Sequence, residues 1–153
     1  EKFDSYAATL APHARIIRHD IVQGIEKENL LREAHFLLLP SRYPNEGQPL
    51  VLIEGLAFGC VLIGTDYRAL GDMIKPEQTG CFVETTPRSI ATAIAHLADN
   101  PDEYQQLSTG ALQLYHEEFT PTRHIDRLLQ VLHAAAIMPS VSATRAAHQQ
   151  HDP

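Results

Sequence analysis

The chain has no excess of basic charge: 12 Lys and Arg stand against 19 Asp and Glu, a net charge of −7 at pH 7. Proteins that grip a phosphate backbone usually present a basic face, so nucleic acid is not expected as a partner. Cysteine is scarce, with only Cys60 and Cys81 in 153 residues. Both lie in apolar runs that read as strands, which points to buried thiols in a reducing compartment rather than a disulfide or a metal site. No apolar run reaches the ~18 to 20 residues that span a bilayer; the nearest, Leu50 to Gly64, is cut by Glu54, Gly55 and Gly59. No Gly-x-Gly-x-x-Gly follows any strand-like run, which counts against a dinucleotide-binding oxidoreductase. Internal repeats and a signal peptide are missing as well. So is an initiator methionine: the chain starts at Glu1 and enters a helix-like segment, Phe3 to Leu10, and reads as a fragment.

What is present is enough for one packed core, with 44% hydrophobic residues in a length too short for two ordinary domains. Ala14 to His19 reads as a short strand around Ile16 and Ile17, Ile25 to Glu33 as a surface helix, and His35 to Leu39 as a buried strand ending at Pro40. The pattern then repeats, with a helix from Pro49 to Phe58, a turn at Gly59 and a strand from Cys60 to Gly64. Strand, helix, strand implies parallel pairing, hence an α/β fold with a buried parallel sheet. Phe82 and Val83 give a last short strand. Three helices follow, each opened by a capping residue and a proline: Thr86-Pro87, Asn100-Pro101 and Thr120-Pro121. Their apolar stripes, Ile90, Ile94 and Leu97, then Tyr104, Leu107, Ala111 and Leu114, then Ile125, Leu128, Leu129 and Leu132, read as core. The expected organisation is a lobe over 1–136 and a mobile tail over 137–153.

The most informative stretch runs from Pro44 to Glu54, where Glu46 and Glu54 flank a glycine turn that opens an almost wholly apolar helix. A helix apolar all round is expected to be buried, and a buried carboxylate needs partners. Ligand hydroxyls would supply them. Histidines are numerous but scattered; the one close pair, His148 and His151, lies in the tail without a carboxylate or cysteine set, so no metal is expected.

The residues Phe36-Leu37-Leu38-Leu39-Pro40-Ser41, Glu46-Gly47, Leu50, Glu54, Ala57, Gly59, Leu62-Ile63 and Thr65-Asp66 resemble, at matching spacing, the donor-binding half of GT-B-fold retaining glycosyltransferases of family four, the glycosyl transferases group 1. Gly24, Glu26, Lys27, Leu30, Leu31 and Ala34 fit the preceding helix. Tyr67 to Leu70 and Gly80 to Val83 fit a loop and a final strand. The likeness covers roughly residues 14 to 135 and implies a Rossmann-like parallel sheet with flanking helices, the GT-B C-terminal lobe, incomplete at its N-terminal side. The first two strands of such a lobe, the basic residues that clamp the donor diphosphate and the whole acceptor lobe have no counterpart here.

The resemblance implies a nucleoside diphosphate sugar as donor, no cofactor and no metal, and a glycan or lipid-linked acceptor held with the other lobe, in polysaccharide biosynthesis. Glu54 would accept hydrogen bonds from the ribose hydroxyls. Glu46, the catalytic candidate, would hold the transferred sugar. Gly47, Gln48, Leu50 and Val51 would offer backbone contacts beside the helix amino end, which favours a diphosphate. Pro49 stands where many members have a second glycine, removing one N–H donor. Val22, at the end of the first strand, falls where members contact the base. Arg42 and Arg68 read as loop residues near the groove. The implied setting is cytoplasmic, at most peripheral to the inner membrane surface, and the chain alone is expected to be inactive. The rival reading is a non-catalytic Rossmann-like module that binds a ligand or a partner.

Overall fold

The structure, a computed structural model, describes residues 15–137. They fall into two compact units, one ending at Glu33 and the other beginning at Ala34. In the first unit, residues 15–20 have no regular structure and lead into helix α1, Gly24–Glu33. Here the strand expected from Ala14 to His19 is not formed over its described residues. Strands are held by ladder hydrogen bonds to a neighbour, and none of the three strands of the sheet pairs with this segment. Ile16 and Ile17 are exposed accordingly. The helix expected from Phe3 to Leu10 and the tail beyond residue 137 lie outside the described residues.

The second unit is a parallel sheet of three strands in the order β1, β2, β3: Phe36–Leu39, Val61–Gly64 and Gly80–Phe82. Phe36 lies opposite Val61 and Leu39 opposite Gly64, while Leu62 lies opposite Gly80 and Gly64 opposite Phe82. Parallel strands need a crossover, which helix α2, Leu50–Ala57, provides between β1 and β2. The turn back into β2 is made at Gly59, whose φ of +72° suits glycine far better than any other residue. At Gly80 the reason is space: an added Cβ would lie 1.8 Å from the Leu62 carbonyl oxygen.

Strand β2 is buried on both faces, as a central parallel strand should be. Its Leu62 joins Leu52 and Leu56 of α2 with Leu70, Met73, Ile74, Ala111 and Leu114. Val61 and Ile63 point the other way, towards Leu97 and Leu107. These residues come from helices α3, Pro87–Asp99, and α4, Pro101–Leu114. A π-helical segment, Tyr115–Phe119, leads from α4 towards α5, Pro121–Ile137. All three proline starts are where the sequence puts them. The Thr86 hydroxyl accepts from the Ser89 amide at 3.2 Å and the Thr120 hydroxyl from the Arg123 amide at 3.3 Å, each closing a helix start. Asn100 departs from that pattern: its side chain donates to the His96 carbonyl at 2.7 Å and so ends α3 instead of capping α4.

Two burial expectations fail. Leu50 and Val51, in the first turn of α2, are 71% and 41% exposed, so this helix is buried only through Leu52, Gly55 and Leu56. The stripe of α5 is open too, with Ile125 54%, Leu128 49%, Leu129 46% and Leu132 53% exposed. Among the described residues no element covers it. Periodicity predicts which face of a helix is apolar, but burial also requires something opposite.

Candidate functional site

Strand β1 ends at Leu39, and the ten residues to α2 form the loop that carries Glu46. Several hydrogen bonds give the loop its shape. The Ser41 amide donates to the Leu39 carbonyl at 2.8 Å, and the Glu46 amide to the Tyr43 carbonyl at 3.0 Å. Ser41 is the hub. Its hydroxyl donates to the Glu46 carboxylate at 2.8 Å and accepts from the Tyr43 amide at 3.1 Å. Its carbonyl accepts from the hydroxyl of Thr65, the buried residue that follows β2. The loop after the first strand is therefore tied to the end of the second, and the Glu46 carboxylate is held in a fixed orientation by a neutral donor.

Pro49 sits one place earlier than expected, as the N-cap of α2 (φ −70°, ψ 110°), with its carbonyl accepting from the Leu52 amide at 3.0 Å. The first turn of a helix leaves its N–H groups without intrahelical partners and carries partial positive charge. In α2 that turn is the exposed Leu50 and Val51, so the amino end faces open space. Glu54 is half-buried one turn further on. Gly47 and Gln48 are exposed between Glu46 and the cap. The loop and the start of α2 thus supply Glu46, Gly47, Gln48, Leu50, Val51 and Glu54 from one short run. Val22 belongs to the first unit, half-buried in the irregular segment ahead of α1.

A concavity of about 530 Å³ opens at the carboxyl ends of the strands, lined by Arg42, Thr65, Asp66, Tyr67, Glu84 and Ser89 with the end of β3. Sequence reasoning placed Arg42 near the groove and quoted Thr65 and Asp66, but gave no role to Tyr67, Glu84 or Ser89. The Ser41–Glu46 bond was missed as well. Its only sequence signal is a short hydroxyl-bearing residue five positions before a loop carboxylate, which is too common to stand out.

Both thiols are reduced and unpaired with each other. Burial pushes the Cys60 thiol above its ordinary pKa, and Cys81 is raised by burial first and the Glu103 charge second. Reactive cysteines are shifted the other way. Among the described residues no three of His, Cys, Asp and Glu come together in a way that could hold a metal ion; the pair His148 and His151 lies outside them. No described helix is long and apolar enough to cross a membrane.

An open parallel α/β sheet with a polar groove at the carboxyl ends of its strands is the ligand-binding arrangement of nucleotide-binding folds, and the comparison with known proteins gives the class. The family described as glycosyl transferases group 1 matches residues 13–114, and the chain belongs to it. Among solved structures, sucrose-phosphate synthase from Thermosynechococcus elongatus aligns with a TM-score of 0.73 at 21% identity, over 88% of this chain and 34% of that one. The Rossmann-like GT-B fold expected from the sequence is thereby shown, and the chain spans about a third of the length of that structure. No curated protein matches.

Proposed function

We propose that the chain is the donor-binding part of a retaining glycosyltransferase, which moves a hexose from a nucleoside diphosphate sugar to a glycan or lipid-linked acceptor. The observation that carries this reading is the placing of two carboxylates, Glu46 and Glu54, on either side of an exposed helix amino end in a chain of the glycosyl transferase family. A diphosphate suits the helix end, whose N–H groups and dipole favour negative charge. Vicinal hydroxyls suit carboxylates, which accept at two oxygens. On this reading Glu54 accepts from the ribose 2′ and 3′ hydroxyls. Glu46 accepts from hydroxyls of the transferred sugar, its orientation set by Ser41, while Gly47, Gln48, Leu50 and Val51 present backbone to the donor. No cofactor or metal enters the scheme.

Transfer needs donor and acceptor in one orientation between two lobes, since well-placed groups reach effective molarities of ~10⁵ M or more. The 153-residue chain alone therefore transfers no sugar. A cytoplasmic setting with peripheral contact to a membrane fits a lipid-linked acceptor.

In the intact enzyme, Glu46→Ala should depress kcat by a large factor while leaving affinity for a sugar-free nucleoside diphosphate within about twofold, the pattern of a contact used mainly in the transition state. A variant with unchanged turnover would remove Glu46 from the site.

A further inference from the structure

The concavity lined by Arg42, Thr65, Asp66, Tyr67, Glu84 and Ser89 contains none of the residues assigned to the donor. At about 530 Å³ it lies within the ~300 to 1,000 Å³ range of small-molecule sites. Three charged side chains line it, Arg42, Asp66 and Glu84, and all three are exposed. Among the described residues none of the three forms an ion pair with another, nor does its head group hydrogen-bond elsewhere. Opposite charges thus share one hollow without neutralising each other.

The rest of the lining is fixed. Thr65 is locked onto the Ser41 carbonyl. Ser89 holds the Glu84 backbone, accepting from its amide at 3.1 Å. Tyr67 is braced by Arg68, whose Nε donates to the phenol oxygen at 3.2 Å while its guanidinium carbon lies 5.5 Å from the ring centroid. Arg68 reaches that position with φ of +49°, a left-handed backbone uncommon outside glycine. Strain of this kind persists where surrounding structure enforces it, and it clusters at ligand sites. Here it holds one aromatic ring at the wall of the hollow.

We infer that this hollow is a saccharide subsite, taking a pyranose ring of a glycan chain. The charge pattern selects the chemistry. Two carboxylates against one arginine in the lining, with Arg68 beside Tyr67, leave no excess of positive charge, which disfavours phosphate and nucleotide. An apolar ligand would leave three charges without partners, at a desolvation cost. A neutral polyol satisfies all three, because each hydroxyl both donates to a carboxylate and accepts from a guanidinium. The Tyr67 ring offers a flat apolar wall for the ring carbons. Thr65 joins this hollow to Glu46 through Ser41, which ties it to the loop assigned to the donor; saccharide binding itself does not rest on that assignment.

The test is an NMR titration of the 153-residue chain with methyl pyranosides and their disaccharides, with inorganic phosphate and a nucleoside diphosphate as separate arms. At least one saccharide should give saturable shifts at Tyr67 and Glu84 with Kd on the order of 1 to 10 mM. Glu84→Gln and Asp66→Asn, both at exposed positions, should each weaken it by about fivefold or more, as loss of a charged acceptor does. The nucleoside diphosphate should leave these signals in place. Absence of any saturable saccharide shift, equal binding by both variants, or phosphate moving the same signals would overturn the inference. If saccharide binds as described while Glu54→Gln leaves nucleoside diphosphate binding untouched, the donor assignment falls and the saccharide subsite stands.

Discussion

Helices α4 and α5 begin alike, with a polar residue and a proline, and carry similar apolar stripes, yet they end in opposite situations. In α4, Leu107, Ala111 and Leu114 are buried between the two halves of the core. Tyr104 meets Phe36 of β1 edge-on at 5.6 Å, and the Ser108 hydroxyl donates to the Gly59 carbonyl at 2.8 Å. In α5, Ile125, Leu128, Leu129 and Leu132 stay open, and the helix is tied back chiefly by Arg127, which donates to the Glu118 carbonyl at 3.1 Å and pairs with its carboxylate. An apolar stripe is thus a request for a partner: α4 finds the sheet, and the stripe of α5 finds nothing among the described residues.

The contrast can be broken by mutation, beginning where packing is tightest. Gly80→Ala should cost the most, about 3 kcal/mol, because backbone, and not a movable side chain, stands 1.8 Å from the new Cβ. Thermal or urea unfolding would report it, and a loss near zero would mean that the β2–β3 pairing is looser than described. Leu107→Ala should follow at about 2 to 3 kcal/mol, the lower part of the ~2 to 5 kcal/mol range for a buried leucine. Leu128→Ala should then cost well under ~1 kcal/mol, since surface changes rarely exceed ~0.5. Equal losses at the two leucines would show that α5 is covered after all.

The caps give a smaller version of the same comparison. Thr86→Ala removes a side chain that closes α3 and should cost about 1 kcal/mol. Asn100→Ala removes no cap from α4, only exposed contacts of its side-chain amide to the His96 carbonyl and ring, and should cost less. Smallest is an acid effect at the base of α5. The hydrogen bond and charge of Arg127 hold Glu118 below the usual carboxylate range. The folded state therefore gives up that proton more readily than the unfolded chain. The stabilisation is present above the unfolded pKa and disappears as pH falls through the lowered folded value. Glu118→Gln should abolish that slight slope in the stability profile and leave the neutral-pH melting temperature nearly unchanged, as for most surface pairs.

Much of this was legible in the sequence for identifiable reasons. The alternation of His35 to Leu39, Leu50 to Phe58 and Cys60 to Gly64 fixes parallel pairing, because buried strands and a crossover helix leave little else. Prolines at 87, 101 and 121 marked three helix starts through their missing N–H. Glu54 stood out as the one charge in an apolar helix, and Glu46 as a loop carboxylate beside the glycine turn that opens it. What could not be read depends on tertiary partners. Ile16 and Ile17 read as a strand, but pairing needs a neighbour. Leu50 and Leu128 read as core, but burial needs a covering surface. The Thr65–Ser41–Glu46 chain joins residues 24 positions apart across two strands, a distance no local pattern spans. Nor does local sequence hint that Arg42 and Glu84 line one hollow.

On the proposed reading, Glu46 and Glu54 form the two ends of one donor site around the start of α2. Calorimetric titration of the intact enzyme with its nucleoside diphosphate, wild type against Glu54→Gln, tests this most directly. The expected result is a loss of about 1 to 3 kcal/mol in binding free energy, roughly 5- to 150-fold in Kd, the range for hydrogen bonds to a charged group. Equal affinities would contradict it and remove the ribose from Glu54.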